Sequence, residues 1–470
     1  MDYSAANTGL WNIVIQFGII AGAILVSTFL RRRVAFVKKS LMPTAVLAGF
    51  LLLLLRSVGV LNMDLTMLEK MTYHGIAIGF IALSLRVPPE SADSDKGNLT
   101  AVKSGALIVS TYLMQALLGF AVVYALIATF MPDLFPAAGI LLPMGYGQGP
   151  GQANNVGTTY ESAWGFVGGR SFALAIAAAG YLCACIIGVI YLNILNKKGK
   201  LHRKTPGELS GSVTVDAFQD RDEIPISESI DRMSMQIALV IMVYLATYLI
   251  TWGITAGLAA VSPGLANSVS SILWGFNFII GSALAMLLRV VLQKLKKGKV
   301  MTRQYQNNYL LSRISGLAFD LMIVAGIASI DIGDLTGLWA PFLIMAVLGG
   351  FVTLFYLMWL SKAIYPGYYY EGLMSMYGMM TGTISSGVLL LREIDPNMET
   401  PAANNLVTGS STGILFGVPM LIFIGLAPKN PLLVILICAA YLALLLLFIF
   451  KVRRKKPAAI PAEDAAKSDK

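Results

Sequence analysis

Glycines and side-chain amides are concentrated in one stretch of the chain, GYGQGPGQANN, at residues 145–155. Amide oxygens, hydroxyls and the carbonyls of a glycine-rich backbone are suited to a dehydrated Na⁺, and backbone N–H groups are suited to an anion. This chemistry is binding and not catalysis. The residues that we expect to bind a solute or an ion here are Gly149, Gly151, Gln152, Asn154, Asn155 and Thr158.

A second polar, glycine-bearing stretch is MYGMMTGTISSGVLLLRE, at residues 376–393. It follows the fourth apolar run of the second half of the chain, as the first stretch follows the fourth run of the first half. Glycine is common in membrane proteins, so a chance pairing stays open. The expected binding residues in this stretch are Thr381, Thr383, Ser385 and Ser386.

The elements that position these stretches are long apolar helices. Of the 470 residues, 56% are hydrophobic and 13% are charged, whereas a soluble domain has about 25% charged residues. A helix of about 20 residues crosses the hydrocarbon core, so we predict an all-α polytopic membrane protein with about eleven spans. The apolar runs begin near residues 9, 41, 71, 104, 168, 233, 268, 309, 337, 407 and 431.

The distribution of basic residues predicts the orientation. Lysine and arginine are concentrated in the connectors 31–39, 196–204, 293–299 and 451–456. By the positive-inside rule these connectors are cytoplasmic, which predicts a plasma-membrane protein with its N-terminus outside and its C-terminus inside. The formal net charge of +10 then reflects topology and not nucleic-acid binding.

Several function classes lack their signatures. Cys183, Cys185 and Cys438 lie in apolar runs, and the chain has two histidines, which argues against a disulfide framework or a zinc site. There is no phosphate-binding loop, HExxH or GxSxG motif. We therefore expect no enzyme, no ATP-driven pump and no organic cofactor.

A polar segment divides the chain into two halves. Residues 205–232 are mixed in charge and poor in large apolar side chains, as in a linker. Five spans precede it, so related halves would form an inverted repeat. The predicted domains are a first half at 1–195, a linker at 196–232, a second half at 233–426, an additional helix at 427–451 and a tail at 452–470.

The stretch at 145–155 has four interpretations. An external loop remains open, although apolar residues flank the stretch on both sides. A potassium filter lacks its threonine and valine, since Pro143 and Met144 stand before the GYG, and a dinucleotide fingerprint would need the spacing GxGxxG after a strand. The fourth interpretation is a re-entrant hairpin of a transporter, and it alone explains both halves. We predict hairpins near 137–163 and 366–395.

Asp320 lies midway through the eighth predicted span, with no neutralising residue near it on its own helix. An ionisable residue at that depth is a functional hypothesis by default, so Asp320 is a candidate Na⁺ ligand or proton carrier. The alternative is a structural ion pair with a cation on another helix. Arg86, Arg170 and Arg392 lie near span ends, where snorkelling to the interface is the favoured interpretation.

These residues resemble a known family. The string GQGPG at 147–151 is similar to the GHGTG hairpin of the bacterial glutamate:sodium symporters, and Trp164-Gly165-Phe166 follow it. Gly378, Gly382 and Thr383 match part of the family's second hairpin, and residues 407–421 resemble its final helix. The resemblance implies two inverted halves, each with a re-entrant hairpin at the substrate and sodium site. It also implies a homodimer with a static scaffold domain and a moving transport domain, an elevator mechanism.

The chain departs from the family at four places. Gln148 replaces the hairpin histidine, Met379 and Met380 replace smaller or aromatic residues, Asp320 falls at an apolar position, and the helix at 431–451 is additional. These departures concern the solute more than the coupling ion. We predict a Na⁺-coupled symporter of a small anionic solute, with glutamate or a related amino acid or carboxylate as the expected one. The alternatives are a passive ion channel and a proton-coupled carboxylate transporter.

Overall fold

The computed structural model describes residues 3–4, 6–35, 37, 41–87, 94–198, 200, 232–261, 270, 273–275, 277–301, 303–395 and 400–451. Apart from residues 196–198, 200 and 232, the predicted linker lies outside the described residues, as does the predicted tail at 452–470. The helices of the first half are α1 Thr8–Arg33, α2 Thr44–Ser57, α3 Leu65–Leu85, α4 Ser94–Thr129, α5 Leu141–Tyr146, α6 Pro150–Trp164 and α7 Gly169–Lys197. A 3₁₀ helix, Pro136–Ile140, precedes α5.

The second half repeats this order of elements. Its helices are α8 Arg232–Val261, α9 Asn277–Lys297, α10 Asn308–Ala328, α11 Trp339–Ile364, α12 Tyr369–Thr381, α13 Ile384–Arg392 and α14 Ala402–Leu426, and α15 Pro431–Lys451 follows. In each half, four helices precede a pair of shorter helices and one long helix follows the pair.

The prediction of an all-helical, multi-pass membrane protein is confirmed. Within the described ranges, eight helices are long and apolar enough to cross a membrane, and α14 is a ninth if it is counted across its 42° bend. The other two predicted spans differ from expectation. α2 has only 14 residues, and α3 carries Glu69, Lys70 and His74 in its first half, which lowers its hydropathy.

The helices form two bundles. The first bundle contains the first three helices of each half, α1–α3 and α8–α10, and the second bundle contains α4–α7 and α11–α15. Three helix contacts of one half have counterparts in the other. The α2–α10 contact corresponds to α9–α3, α1–α2 corresponds to α8–α9, and α4–α14 corresponds to α11–α7.

Small residues let these helices approach each other. A Cβ atom built on Gly75 of α3 would lie 3.1 Å from the Ala318 carbonyl of α10. A Cβ atom on Gly105 of α4 would lie 2.8 Å from the Gly413 nitrogen of α14. In lipid, where apolar burial does not drive helices together, such backbone approach is a main source of packing energy.

The additional helix α15 belongs to the second bundle and has the predicted bounds 431–451. The Lys103 ammonium of α4 donates a 2.8 Å hydrogen bond to the Ile449 carbonyl near the C-terminal end of α15. The Tyr441 hydroxyl donates a 2.8 Å hydrogen bond to the Phe416 carbonyl of α14. These two bonds attach α15 to the helices on which it packs.

Candidate functional site

The first polar stretch forms a helical hairpin, which we call hairpin 1 (residues 136–164). Its backbone is more regular than the sequence predicts, because the break between α5 and α6 is confined to residues 147–149. Gly149 has φ +82°, a conformation that favours glycine. Pro150 then occupies the first position of α6, where its missing N–H removes no helical hydrogen bond.

Three amides of α6 are buried with unpaired oxygens. Gln152, Asn154 and Asn155 are 2%, 2% and 4% exposed. Their side-chain oxygens have no hydrogen-bond partner within the described part of the chain. Leaving a buried acceptor unpaired costs about 1–3 kcal/mol. Of the three residues, Gln152 lines the cavity described below, so its oxygen is available to a ligand.

Hairpin 1 is also attached to the first bundle. The Asn155 amide donates a 2.5 Å hydrogen bond to the Gly275 carbonyl before α9. The Thr158 hydroxyl donates a 3.3 Å hydrogen bond to the Glu69 carboxylate of α3. Thr158, predicted as a binding residue, therefore joins two helices in this structure.

The second polar stretch forms hairpin 2 (residues 369–392), in which α12 and α13 are separated by Gly382 and Thr383. The two helices lie close together, because a Cβ atom on Gly378 would be 2.7 Å from the Ser386 carbonyl. The Ser386 hydroxyl is buried and has no partner among the described residues. The Thr381 hydroxyl donates to the Tyr377 carbonyl of its own helix, and the side chain of Ser385 lies outside the described residues.

The tips of the two hairpins meet. A Cβ atom built on Gly149 would lie 3.6 Å from the Thr383 methyl group and 3.7 Å from the Gly382 carbonyl oxygen. The Tyr181 hydroxyl of α7 would be 3.8 Å away. Gly149 and Thr383, predicted from two distant stretches of sequence, thus lie together beside the middle of α7.

Four helix ends point to this meeting place. α6 and α13 begin there, and neither first turn is capped by a side chain. α5 and α12 end there. Uncapped N-terminal N–H groups attract an anion, and C-terminal carbonyls attract a cation. The arrangement can hold a cation and an anion side by side.

A cavity of about 140 Å³ lies at the tips, between the two bundles. Its polar side chains are Tyr112, Gln148, Gln152, Thr383 and Ser410. The first bundle contributes Ile76, Phe80, Phe278, Ile279, Phe319 and Met322. None of the described lining residues is charged. Gly151 contributes close packing, since a Cβ atom there would be 2.6 Å from Ile76 and 2.8 Å from the Met322 sulfur.

Asp320 lies outside this lining. It is exposed, although its neighbours Phe319 and Met322 both line the cavity. No described cation pairs with it, so the structural ion pair considered as an alternative is not observed. Its carboxylate is close enough to the Tyr181 hydroxyl at the hairpin tips to interact with it electrostatically.

Three polar residues near the site escape sequence analysis. Tyr112 and Ser410 line the cavity, and Tyr181 lies at the tips. Tyr181 is one of the scattered hydroxyl-bearing residues of α7, a pattern found in ordinary membrane spans. Tyr112 belongs to the run STY at 110–112 and Ser410 to the run GSST at 409–412, and these two runs were the available signals.

No protein-family model matches the chain, and no curated protein sequence matches it. Among the described residues, no group of three or more His, Cys, Asp and Glu side chains could hold a metal ion. A cation at the tips would therefore be held by amide, hydroxyl and carbonyl oxygens, which are ligands suited to Na⁺ and not to zinc.

Proposed function

We propose that the chain is a sodium-coupled secondary active symporter of a small anionic solute, with glutamate or a related amino acid or carboxylate as the starting expectation. The observation that supports this most directly is the meeting of two helical hairpins over a cavity between two bundles. Membership of the bacterial glutamate:sodium symporter family is part of the proposal, supported by the GQGPG string and by Gly378, Gly382 and Thr383.

The two halves would form an inverted repeat. Their elements follow the same order, and several of their helix contacts correspond. An odd number of spans in the first half would place hairpin 1 and hairpin 2 on opposite sides of the membrane, as the predicted orientation requires. Each hairpin would then enter from its own side and end near the midplane.

The bundles supply the parts of an elevator mechanism. The first bundle would be the static scaffold and the interface of a homodimer in the plasma membrane. The second bundle carries both hairpins and would move. Its described contacts with the first bundle pass mainly through hairpin 1, which packs on α3 and α10, and this limited contact favours movement as a unit.

Each predicted group has a role in this proposal. The N-termini of α6 and α13 bind the carboxylate of the solute, and Gln152, Asn154, Asn155, Thr383 and Ser386 supply amides and hydroxyls around it. Carbonyls at the ends of α5 and α12 face Na⁺. Asp320 is a further acceptor for the cation at the approach to the tips.

The test is uptake of labelled glutamate and of labelled methionine into liposomes containing the purified protein, with and without an inward Na⁺ gradient. Sodium-dependent accumulation against the solute gradient supports the proposal. Currents that exceed carrier turnover by orders of magnitude and do not saturate would indicate a channel instead.

Asp320 is the observation that favours the proton-coupled alternative, because an unpaired carboxylate near the tips can carry H⁺. The Asp320→Asn variant separates the two. For sodium coupling we expect it to raise the half-saturating Na⁺ concentration. Uptake driven by a pH gradient alone, and lost in Asp320→Asn, would support proton coupling.

A further inference from the structure

We propose that the solute carries one carboxylate joined to a bulky apolar group, so that dicarboxylates such as glutamate are poor substrates. This inference rests on the proposed function and specifies its substrate class. The supporting observation is that the polar groups of the cavity are concentrated at the hairpin tips, whereas its walls are mostly apolar.

One end of the cavity is polar. Gln148, Gln152 and Thr383 line it at the hairpin tips, where α6 and α13 begin. Gln152 is 2% exposed, and its amide oxygen has no partner within the described residues. An amide in this position can donate to a carboxylate through its nitrogen and accept from a cation through its oxygen. The tips therefore provide one subsite for an anionic group.

The wall on the first bundle is aromatic. Phe80 of α3, Phe278 of α9 and Phe319 of α10 all line the cavity. The ring centroids of Phe80 and Phe278 are 5.2 Å apart, and those of Phe80 and Phe319 are 5.3 Å apart. Three helices thus build one continuous aromatic surface, which we call the aromatic wall. Such a surface binds an apolar group by burying its area.

The remaining wall is mostly apolar, with the hydroxyls of Tyr112 and Ser410 as its polar groups, and the Ser410 hydroxyl already donates to the Leu406 carbonyl. Met379 of hairpin 2 and Met420 and Ile414 of α14 belong to the lining. Methionine adapts to ligands of irregular shape. This wall and the aromatic wall together enclose the part of a solute that extends away from the hairpin tips.

A second carboxylate has no cationic partner in this space. Among the described residues, no arginine, lysine or histidine lines the cavity. Moving a carboxylate from water to an apolar surface without a compensating cation or hydrogen bonds is strongly unfavourable. Glutamate would place its second carboxylate there, whereas methionine would place its thioether and methyl group.

The experiment compares two pairs of solutes of nearly matched size, methionine with glutamate and octanoate with adipate, as labelled substrates in liposomes with an inward Na⁺ gradient. We expect the monocarboxylate of at least one pair to be taken up, with a half-saturating concentration at least about tenfold lower than that of its dicarboxylate partner, the size of discrimination that one apolar contact provides. Equal or lower values for the dicarboxylates would overturn the inference while leaving sodium-coupled transport intact. No sodium-dependent uptake of any of the four would overturn both proposals.

A gain of function provides the second measurement. Ile414→Lys places a cation at the apolar end of the cavity, and Ile414→Met is its uncharged control of similar length. We expect Ile414→Lys to lower the half-saturating concentration for glutamate relative to that for methionine. Ile414→Met should keep the wild-type order of the two half-saturating concentrations. The same order in both variants, each folded as judged by size-exclusion chromatography, would contradict the inference.

Discussion

The two hairpins occupy the same place in their halves but have different surroundings. Hairpin 1 lies against the first bundle, where Gly151 packs on Ile76 and Met322 and Asn155 bonds to Gly275. Hairpin 2 packs on α4, α7, α11 and α14, all of the second bundle. The cavity separates its tip from the aromatic wall.

This difference has a meaning for the proposed transport cycle. In the proposed inverted repeat, the two hairpins are equivalent elements, so each should be able to take up the surroundings of the other at a similar free energy. On the proposed mechanism, access from the side of hairpin 1 is closed in this structure, because hairpin 1 packs directly on the first bundle. On the side of hairpin 2, a cavity separates the hairpin tip from the first bundle. Transport would require hairpin 1 to leave the first bundle.

The largest expected effect comes from fixing hairpin 2 in the wrong position. A Cβ atom on Gly180 of α7 would collide with the Thr381 carbonyl at the hairpin tip. Overpacking of this kind costs about 1–3 kcal/mol, so Gly180→Ala should displace the tip and abolish measurable uptake. The control is Gly22→Ala in α1, where no atom lies within 4 Å. Wild-type uptake by Gly180→Ala would show that the tip position is unimportant.

A smaller but reversible loss is expected from joining hairpin 1 to the first bundle. A Cβ atom on Gly275 would lie 3.6 Å from the Thr159 hydroxyl oxygen, which suits a disulfide between cysteines at these positions. In a background without the native cysteines, Thr159→Cys with Gly275→Cys should lose most uptake on oxidation and regain it on reduction.

Each single cysteine variant is the control for the cross-link. If the oxidised double variant, with its disulfide demonstrated by mass spectrometry, transports at the rate of the reduced protein, hairpin 1 does not leave the first bundle. The contrast between the two hairpins would then have no role in access.

An intermediate effect is expected at the tips themselves. Gln152→Leu removes an amide that lines the cavity, and the loss of one hydrogen bond to a charged group, about 1.5–3 kcal/mol, should raise the half-saturating solute concentration by about tenfold or more. Gln16→Leu is the matched control, since Gln16 is also a buried glutamine but lies on α1 of the first bundle. Equal uptake kinetics in the two variants would show that Gln152 does not bind the solute.

The smallest effect concerns stability at the edge of the first bundle. The Asn12 amide donates a 2.8 Å hydrogen bond to the Asp64 carboxylate, and this bond together with that from the Met67 N–H lowers the pKa of Asp64. The resulting stability is present above the unfolded pKa of about 4 and is lost as the pH falls through the folded pKa. Asn12→Ala should therefore unfold at a slightly lower temperature than wild type at pH 7, and the difference should shrink at pH 3. A constant difference would exclude this linkage.

The helical membrane fold could be predicted from the sequence because hydropathy and span length are local properties. The bounds of α15 and the polar hairpins follow from the same local signals. The short α2 and the polar start of α3 were harder to predict, since Glu69 is accommodated by Thr158 of a distant helix. Such a contact has no signature in the local sequence.

The site was predictable only in part. Glycine, amide and hydroxyl clusters indicated Gly149, Gln152 and Thr383, which the structure brings to the tips. The aromatic wall was not predicted, because Phe80, Phe278 and Phe319 are each ordinary residues of an apolar span. Only the packing of α3, α9 and α10 makes them one surface, and this surface changes the expected solute.

The attachment of α15 has a consequence for observing the proposed movement. Its bonds from Lys103 and to Phe416 fix it to helices of the second bundle. On the elevator mechanism, α15 would therefore shift along the membrane normal together with the second bundle and the bound solute. A fluorophore on the exposed face of α15, paired with one on α8, would turn each transport cycle into a change of distance. The helix that is additional to the family pattern would thereby provide a labelling site that reports the position of the second bundle.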